Sequence, residues 1–425
     1  MMDWQKLLST HRFGQAGTDE LRPVRSAFQK DWDRVVFSSA FRRLQDKTQV
    51  HSLPESDYVR TRLTHSLEVA SVGRSLGAGV GYEILRRQPA LRERVTEADF
   101  GHVVAAACLA HDIGNPPFGH YGEETIRHWF RDDGGHQLIA PLAAAERADF
   151  ERFEGNAQGF RILTRLQNWR HAGGLRLTAA TLATFTKYPR ASDVAVATGD
   201  TDAGARKFGF FQAEAELFRS VAESVGLIAV APNRWLRHPL AYLVEAADDI
   251  CYRIVDLEDG YKLGRVSYGE AADLLIRVIG DRPARFAEIG EDSEKIGYLR
   301  AKAIGHLIEA VIGRFLDQEP ALMEGRARIP MLELVDEAAA LNDIARLTRK
   351  RVFETKERTQ NEIAAGKVIQ TLVSSFSEAE VAAEGRAPSP RNAALLRLIP
   401  GRDGKAPRYE RLLVVTDFIS GMTDS

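Results

Sequence analysis

The residues best suited to chemistry in this sequence are a scattered set of histidines and aspartates. They are His65 in RTRLTHSLEVA, the adjacent His111 and Asp112 in CLAHDIGNPPFGH, and Asp248 in LVEAADDICYRIVDLEDG. Neutral imidazole supplies nitrogen and ionised carboxylate supplies oxygen, so four such ligands can hold one divalent ion. The mixed set suits Mn, Fe, Co, Ni or Zn better than a thiolate site would. Coordination positions would remain open for water and substrate. An apolar run, Val103 to Ala110, ends directly at His111 and Asp112. Two ionisable groups at the inner end of a buried helix are costly unless something compensates them, and a metal is one such compensator. The following Gly114-Asn115-Pro116-Pro117 stops the helix and leaves Asp112 at its open end. Singly these residues say little, because a lone histidine on an apolar face is more often a satisfied core residue than a ligand. The ordered combination of His, His-Asp and Asp, each on a helix, is specific.

Helix geometry separates Asp248 from its neighbour Asp249. Residues four apart share a face, so Asp248, Tyr252 and Asp256 form one stripe, while Asp249 faces Arg253 and is expected to pair with it. Asp248 is therefore the expected ligand.

The elements that must position these groups read as helices. Leu63, Leu67 and Ala70 mark one face of the segment from Tyr58 onward, and further helical stretches cover 156–169, 239–257, 292–316, 330–346 and 360–384. Strand-like alternation is confined to 208–211 and to Leu412–Val415, so the fold class is all-α. Gly, Pro, Asp and Ser cluster at 131–136, 171–174, 189–207 and 384–407, which read as surface loops. The third reads as a connector, with a lid or an oligomer contact as the sharper alternative. With no long Pro/Ser linker, low-complexity tract or repeat, residues 1–425 read as a single helical domain.

Composition sets the limits. With 425 residues, 44% hydrophobic and 27% charged, the chain is not of the disordered, collagenous or fibrous classes. Lys and Arg number 57 against 59 Asp and Glu, a net charge of −2, which removes any global polybasic argument for nucleic acid or membrane. Cys108 and Cys251 lie in apolar helical stretches and form no disulfide framework, which fits a reducing compartment. The start, MMDWQKLLST, has neither a basic n-region nor an apolar h-region, and no apolar run reaches the roughly 18 residues of a membrane span. A cytoplasmic location is expected.

The sequence resembles the HD-domain phosphohydrolases, and within them the deoxyguanosine triphosphate triphosphohydrolases and their dNTPase relatives. The likeness rests on FRRLQDKTQV (41–50), RTRLTHSLEVA, HDIGNPPFGHYGEE, FEGNAQGFR (153–161), LATFTKYP (182–189) and EAADDICYRIVDLEDG (245–260), and weakly on DFISGMTD (417–424). It implies an HD helical bundle, with a core at about 58–260, around one divalent ion per subunit held by His65, His111, Asp112 and Asp248. Mn or Mg is the first expectation for that ion. Residues 270–425 would pack on the core and supply oligomer contacts. The implied reaction is water attack on the α-phosphorus of a deoxynucleoside triphosphate, releasing deoxynucleoside and triphosphate. His120 is implied in acid–base work, with Glu123 three residues on to orient it. Arg62 and Lys187 would meet the phosphates, Gln49 and Asp256 the 3′-hydroxyl, and Tyr252 the sugar edge. Asn156 and Gln158 read as helix N-terminal and supporting positions. A symmetric homo-oligomer, tetramer or hexamer, is implied, together with a nucleotide activator or single-stranded DNA as further partners.

Two other readings keep the metal site. One changes the substrate to another nucleotide or a phosphodiester, since fold and metal do not determine substrate. The other makes the chain a nucleotide-sensing, nucleic-acid-binding regulator. Its support would be the basic runs LRRQPALRER (85–94) and RLTRKRVFETKER (346–358), but acids are interspersed in both and they read as solvated helix faces.

Overall fold

Three glycines four residues apart, Gly73, Gly77 and Gly81, form a flat stripe along the helix Arg62–Arg87. In the computed structural model, which describes residues 1–14, 25–48, 60–168, 172–194, 207–327 and 329–425, the helix Glu97–Ala110 lies in that stripe. A Cβ at Gly77 would come within 2.6 Å of the Phe100 carbonyl oxygen, and one at Gly73 within 2.5 Å of the Cys108 sulfur. The two helices are antiparallel neighbours joined by a short turn, so the start of the first and the end of the second meet at the same place. His65 sits in the first turn of one and His111 directly follows the other. Thr61 and Thr64 cap the first helix reciprocally and hold its start.

A third helix, Ala241–Lys262, carries Asp248 and packs on both through Ala246, Ala247, Ile250, Cys251 and Ile254, all buried. These helices, with Asp292–Glu324 behind them, share the larger apolar core. A second apolar cluster joins Ile126, Trp129 and Phe130 of the helix Gly119–Asp132 to Ile369, Val373 and Phe376 of Lys356–Ala382, and to Leu412, Val415 and Ile419 of Arg408–Ser420. The helix bearing His120 and Glu123 is thus packed against elements from the far end of the chain. Helices dominate, and the strands among the described residues are β1 (Ala229–Ala231) and β2 (Arg234–Trp235), one antiparallel pair. No described helix is long and apolar enough to cross a membrane.

The all-α expectation holds, with local corrections. Leu412–Val415 is not a strand: it lies inside the helix Arg408–Ser420, where burial of Leu412, Val415 and Ile419 on one face overrides the β-branched composition. Residues 208–211 form no strand either. Phe210 makes one isolated bridge to Ala191, and the phenylalanines there are buried core. The loop expected at 384–407 contains the helix Pro390–Arg397, started by Ser389 as N-cap. Leu67 does not belong to the inward face, being 40% exposed, because that face is taken by Ser66, Val69, Ala70 and the glycines. Parts of the expected loops at 171–174 and 189–207 lie outside the described residues.

Glycine in a helix interior ordinarily lowers stability, so the reason for it at each position is testable. Gly77→Ala should destabilise by about 1–3 kcal/mol through backbone overpacking. Gly305→Ala, on the exposed face of Asp292–Glu324 with nothing within 4 Å, should instead stabilise by about 0.5–1 kcal/mol. Thermal unfolding of the two variants checks the opposite signs.

Candidate active site

Where the three helices meet, ligand atoms of His65, His111 and Asp248 all lie within 4.8 Å of one another. His65 Nε2 is 3.1 Å from Asp248 Oδ1, and His111 Nε2 is 3.6 Å from the same oxygen. The Nδ1–H of His111 donates to the Cys108 carbonyl at 2.7 Å, which leaves the Nε2 lone pair facing the cluster. Burial works against a proton on His65, but the bond to Asp248, with Asp112 and Asp256 nearby, raises its pKa. Burial also opposes charge on Asp248, yet His111, His65 and Lys187 outweigh it and bring the carboxyl down to about 2. Two imidazole nitrogens and an ionised carboxylate oxygen aimed at one point are a donor set that fits a divalent cation.

Asp112 adjoins this group, its Oδ1 3.6 Å from His111 Nε2. Its oxygens are engaged: Arg62 Nη1 donates to Oδ2 at 2.7 Å and Asn115 Nδ2 to Oδ1 at 2.6 Å. Despite burial, Arg62 with His111 and His65 holds the Asp112 carboxyl well below the usual range. Arg62 is itself buried and is directed at Asp112 rather than at open space. Its guanidinium also abuts Gly119, where a Cβ would fall 2.3 Å from Nη2. The arginine therefore physically joins the His–Asp cluster to the start of the His120 helix.

His120 is open, its side chain 77% exposed, while Glu123 one turn on is buried. Glu123 Oε2 lies 2.8 Å from His120 Nδ1, Gly155 N–H donates to Oε1 at 2.7 Å, and Arg127 Nη2 reaches Oε2 at 3.3 Å. Burial would raise the Glu123 pKa, but His120 and Arg127 lower it. A carboxylate so held keeps a proton on Nδ1 and turns Nε2 outward. The FEGN segment supplies the backbone of this support, and Asn156 bonds Glu154 at 2.7 Å. Gln158 donates to Asp417 at 2.9 Å.

The remaining expected contacts are dispersed. Lys187 pairs with Glu245 at 3.0 Å, and despite burial this carboxylate raises its pKa. Tyr252 is 40% exposed and stacks on Phe353, centroids 5.4 Å apart at 11°. Asp256 is buried with Oδ2 lacking a partner, and burial pushes its pKa up to about 8. Gln49 lies outside the described residues. The expected Asp249–Arg253 pair is not made: Arg253 donates to Asn342 at 2.9 Å, and burial beside Asp248 carries Asp249 to about 7. The basic run 346–358 is not only a solvated face, since Val352 is buried, Phe353 meets Tyr252, and Arg358 lies over the Phe353 ring at 5.2 Å. Sequence reasoning had no signal for this approach from a distant segment.

The sequence is similar to known proteins. The HD domain family model matches residues 62–162. The chain is 46% identical over 436 residues to a deoxyguanosinetriphosphate triphosphohydrolase-like protein of Pseudomonas aeruginosa, covering 100% of this chain and 96% of the relative. A protein of the same description from Synechocystis sp. is 46% identical over 435 residues, covering 100% and 97%. A deoxyguanosinetriphosphate triphosphohydrolase of Yersinia enterocolitica is 32% identical over 435 residues, covering 88% and 82%.

Lys47, within FRRLQDKTQV but not singled out by its sequence, proves to be buried beside the cluster. Its Nζ donates to the Asn115 carbonyl at 2.6 Å and the Ser420 carbonyl at 2.8 Å. Burial, with Arg62 adding, lowers its pKa from 10.5 to about 7. Below pH 7 folded and unfolded chains both carry this proton. Between about 7 and 10.5 only the unfolded chain keeps it, so this group makes stability rise with pH across that window. Thermal midpoints measured from pH 7 to 9 should rise less steeply in Lys47→Met than in the wild type; equal slopes would contradict the assignment.

Proposed function

The chain belongs to the HD-domain, deoxyguanosinetriphosphate triphosphohydrolase-like family, and on that premise we propose that it hydrolyses deoxynucleoside triphosphates to deoxynucleoside and triphosphate. The observation that carries the reading is the joining of two units through Arg62: the convergent His65, His111 and Asp248 on one side and the open His120–Glu123 pair on the other. His65, His111, Asp248 and, beside them, Asp112 would hold a divalent ion, Mn or Mg first. Such an ion, when bound, polarises a phosphoryl oxygen and lowers the pKa of water.

The protein's own groups do the rest. Water adds to the α-phosphorus and releases a proton to solvent, the bond from phosphorus to the 5′-oxygen breaks, and that oxygen takes a proton from a donor that is recharged from solvent. His120 Nε2 is the donor, because Glu123 occupies Nδ1 and the ring is exposed. Lys187, held by Glu245, supplies fixed positive charge for the phosphates, while Arg62 acts through Asp112. Asp256, buried with one oxygen free, is matched to a sugar hydroxyl, and Tyr252 on Phe353 forms an apolar wall that would crowd a 2′-hydroxyl. Gln49 is retained as the second contact to the 3′-hydroxyl. A nucleotide activator belongs to the same reading as a further partner. We also carry forward a symmetric homo-oligomer.

With Mn²⁺ or Mg²⁺ the purified protein should convert at least one dNTP, alone or with a second dNTP present, to deoxynucleoside and tripolyphosphate. Release of dNDP and orthophosphate would overturn attack at the α-phosphorus. His120→Ala should keep metal content but lose turnover by about 10²–10⁴-fold; full activity in that variant would remove His120 from the chemistry.

A further inference from the structure

The helix Gly119–Asp132 begins in an unusual way. Its N-cap is Phe118, which has no side-chain oxygen to cap the helix and holds a left-handed backbone, φ 61° and ψ 17°. A non-glycine residue keeps that conformation only where its surroundings impose it. His120 is the second residue of this helix, so the direction in which its ring points depends on the turn at Phe118.

The imposing group comes from the other end of the chain. Asp424 Oδ1 accepts the Phe118 N–H at 2.9 Å. Asp424 Oδ2 accepts both the N–H of Thr48 at 2.9 Å and its hydroxyl at 2.7 Å. The Asp424 N–H donates to the Asp46 carbonyl at 3.0 Å. One carboxylate thus takes three hydrogen bonds and joins the strained turn to the segment 46–48. That segment is fastened in turn to the His65 helix, since Arg62 N–H donates to the Lys47 carbonyl at 3.0 Å and Thr48 bridges Thr61. The two Lys47 bonds, to Asn115 and Ser420, run between the same parts of the chain.

We infer that Asp424 is a positioning residue for His120, locking the turn that sets the direction of the imidazole. The inference rests on the reading of His120 as proton donor. Asp424 is not a catalytic residue: its oxygens are occupied by main-chain N–H groups and Thr48.

Two measurements on Asp424→Ala test this. Hydrogen exchange should quicken by about fivefold or more in peptides covering 113–122 and 41–48, with 97–110 unchanged; unaltered exchange at 113–122 would refute the clamp whatever the substrate is. In turnover, kcat should fall about tenfold or more with KM within about threefold, and in a His120→Ala background the same substitution should cost under about twofold. An undiminished cost in that background, or a loss confined to KM, would show that Asp424 does not act through His120. If the wild type leaves every dNTP intact, the substrate reading falls, while the exchange result still judges the clamp. Should the alanine variant not fold, Asp424→Asn, which keeps one carbonyl acceptor, carries the same readouts at smaller amplitude.

Discussion

Keeping Asp112 ionised away from water is the constraint on which the rest of this site depends. A buried carboxylate is expensive unless paired and hydrogen-bonded, and Asp112 is surrounded accordingly by Arg62, Asn115, His111 and His65. These partners come from three pieces of backbone. Arg62 and His65 open one helix, His111 follows another, and Asn115 lies in the proline turn beyond. Satisfying one charge therefore constrains how these three segments sit relative to one another.

The glycine stripe makes that arrangement reachable. Helix axes ordinarily stand about 8–10 Å apart, set by the side chains between them; here Gly77 meets the backbone at Phe100 and Gly101, Gly73 the Cys108 sulfur, and Gly81 the Phe100 side chain. Close approach over about two turns holds the two helices in register, so His65 and His111 face each other at the shared end with ring centroids 5.3 Å apart. The cluster is thus a consequence of packing along the helices as much as of the ligands at their tips.

The helix bearing His120 and Glu123 packs into the other apolar cluster, to which Lys356–Ala382 and Arg408–Ser420 contribute. The first 132 residues contain His120, Glu123 and most of the His–Asp cluster, yet the helix carrying His120 is seated on residues of Lys356–Ala382 and Arg408–Ser420. Asp417, on Arg408–Ser420, binds Arg161 and Gln158 and so fastens the FEGN segment that supports Glu123. The weak C-terminal resemblance at DFISGMTD has a physical basis in these bonds.

Helical class, the residue types of the His–Asp cluster and the His120–Glu123 spacing are legible in the sequence, because helix periodicity and an i,i+3 pair are local properties of neighbouring residues. Adjacency likewise made the His111-Asp112 pair at the end of an apolar run legible. It misread Leu412–Val415, where local composition favours a strand and burial of one face decides otherwise, and it paired Asp249 with Arg253 because it could not see Asn342. Folding in three dimensions is what pairs Arg62 with Asp112, brings Phe353 to Tyr252, buries Lys47 and sets Asp424 on the Phe118 N–H. Those outcomes depend on which distant segment supplies a partner, and a chain read residue by residue carries no record of that separation in space.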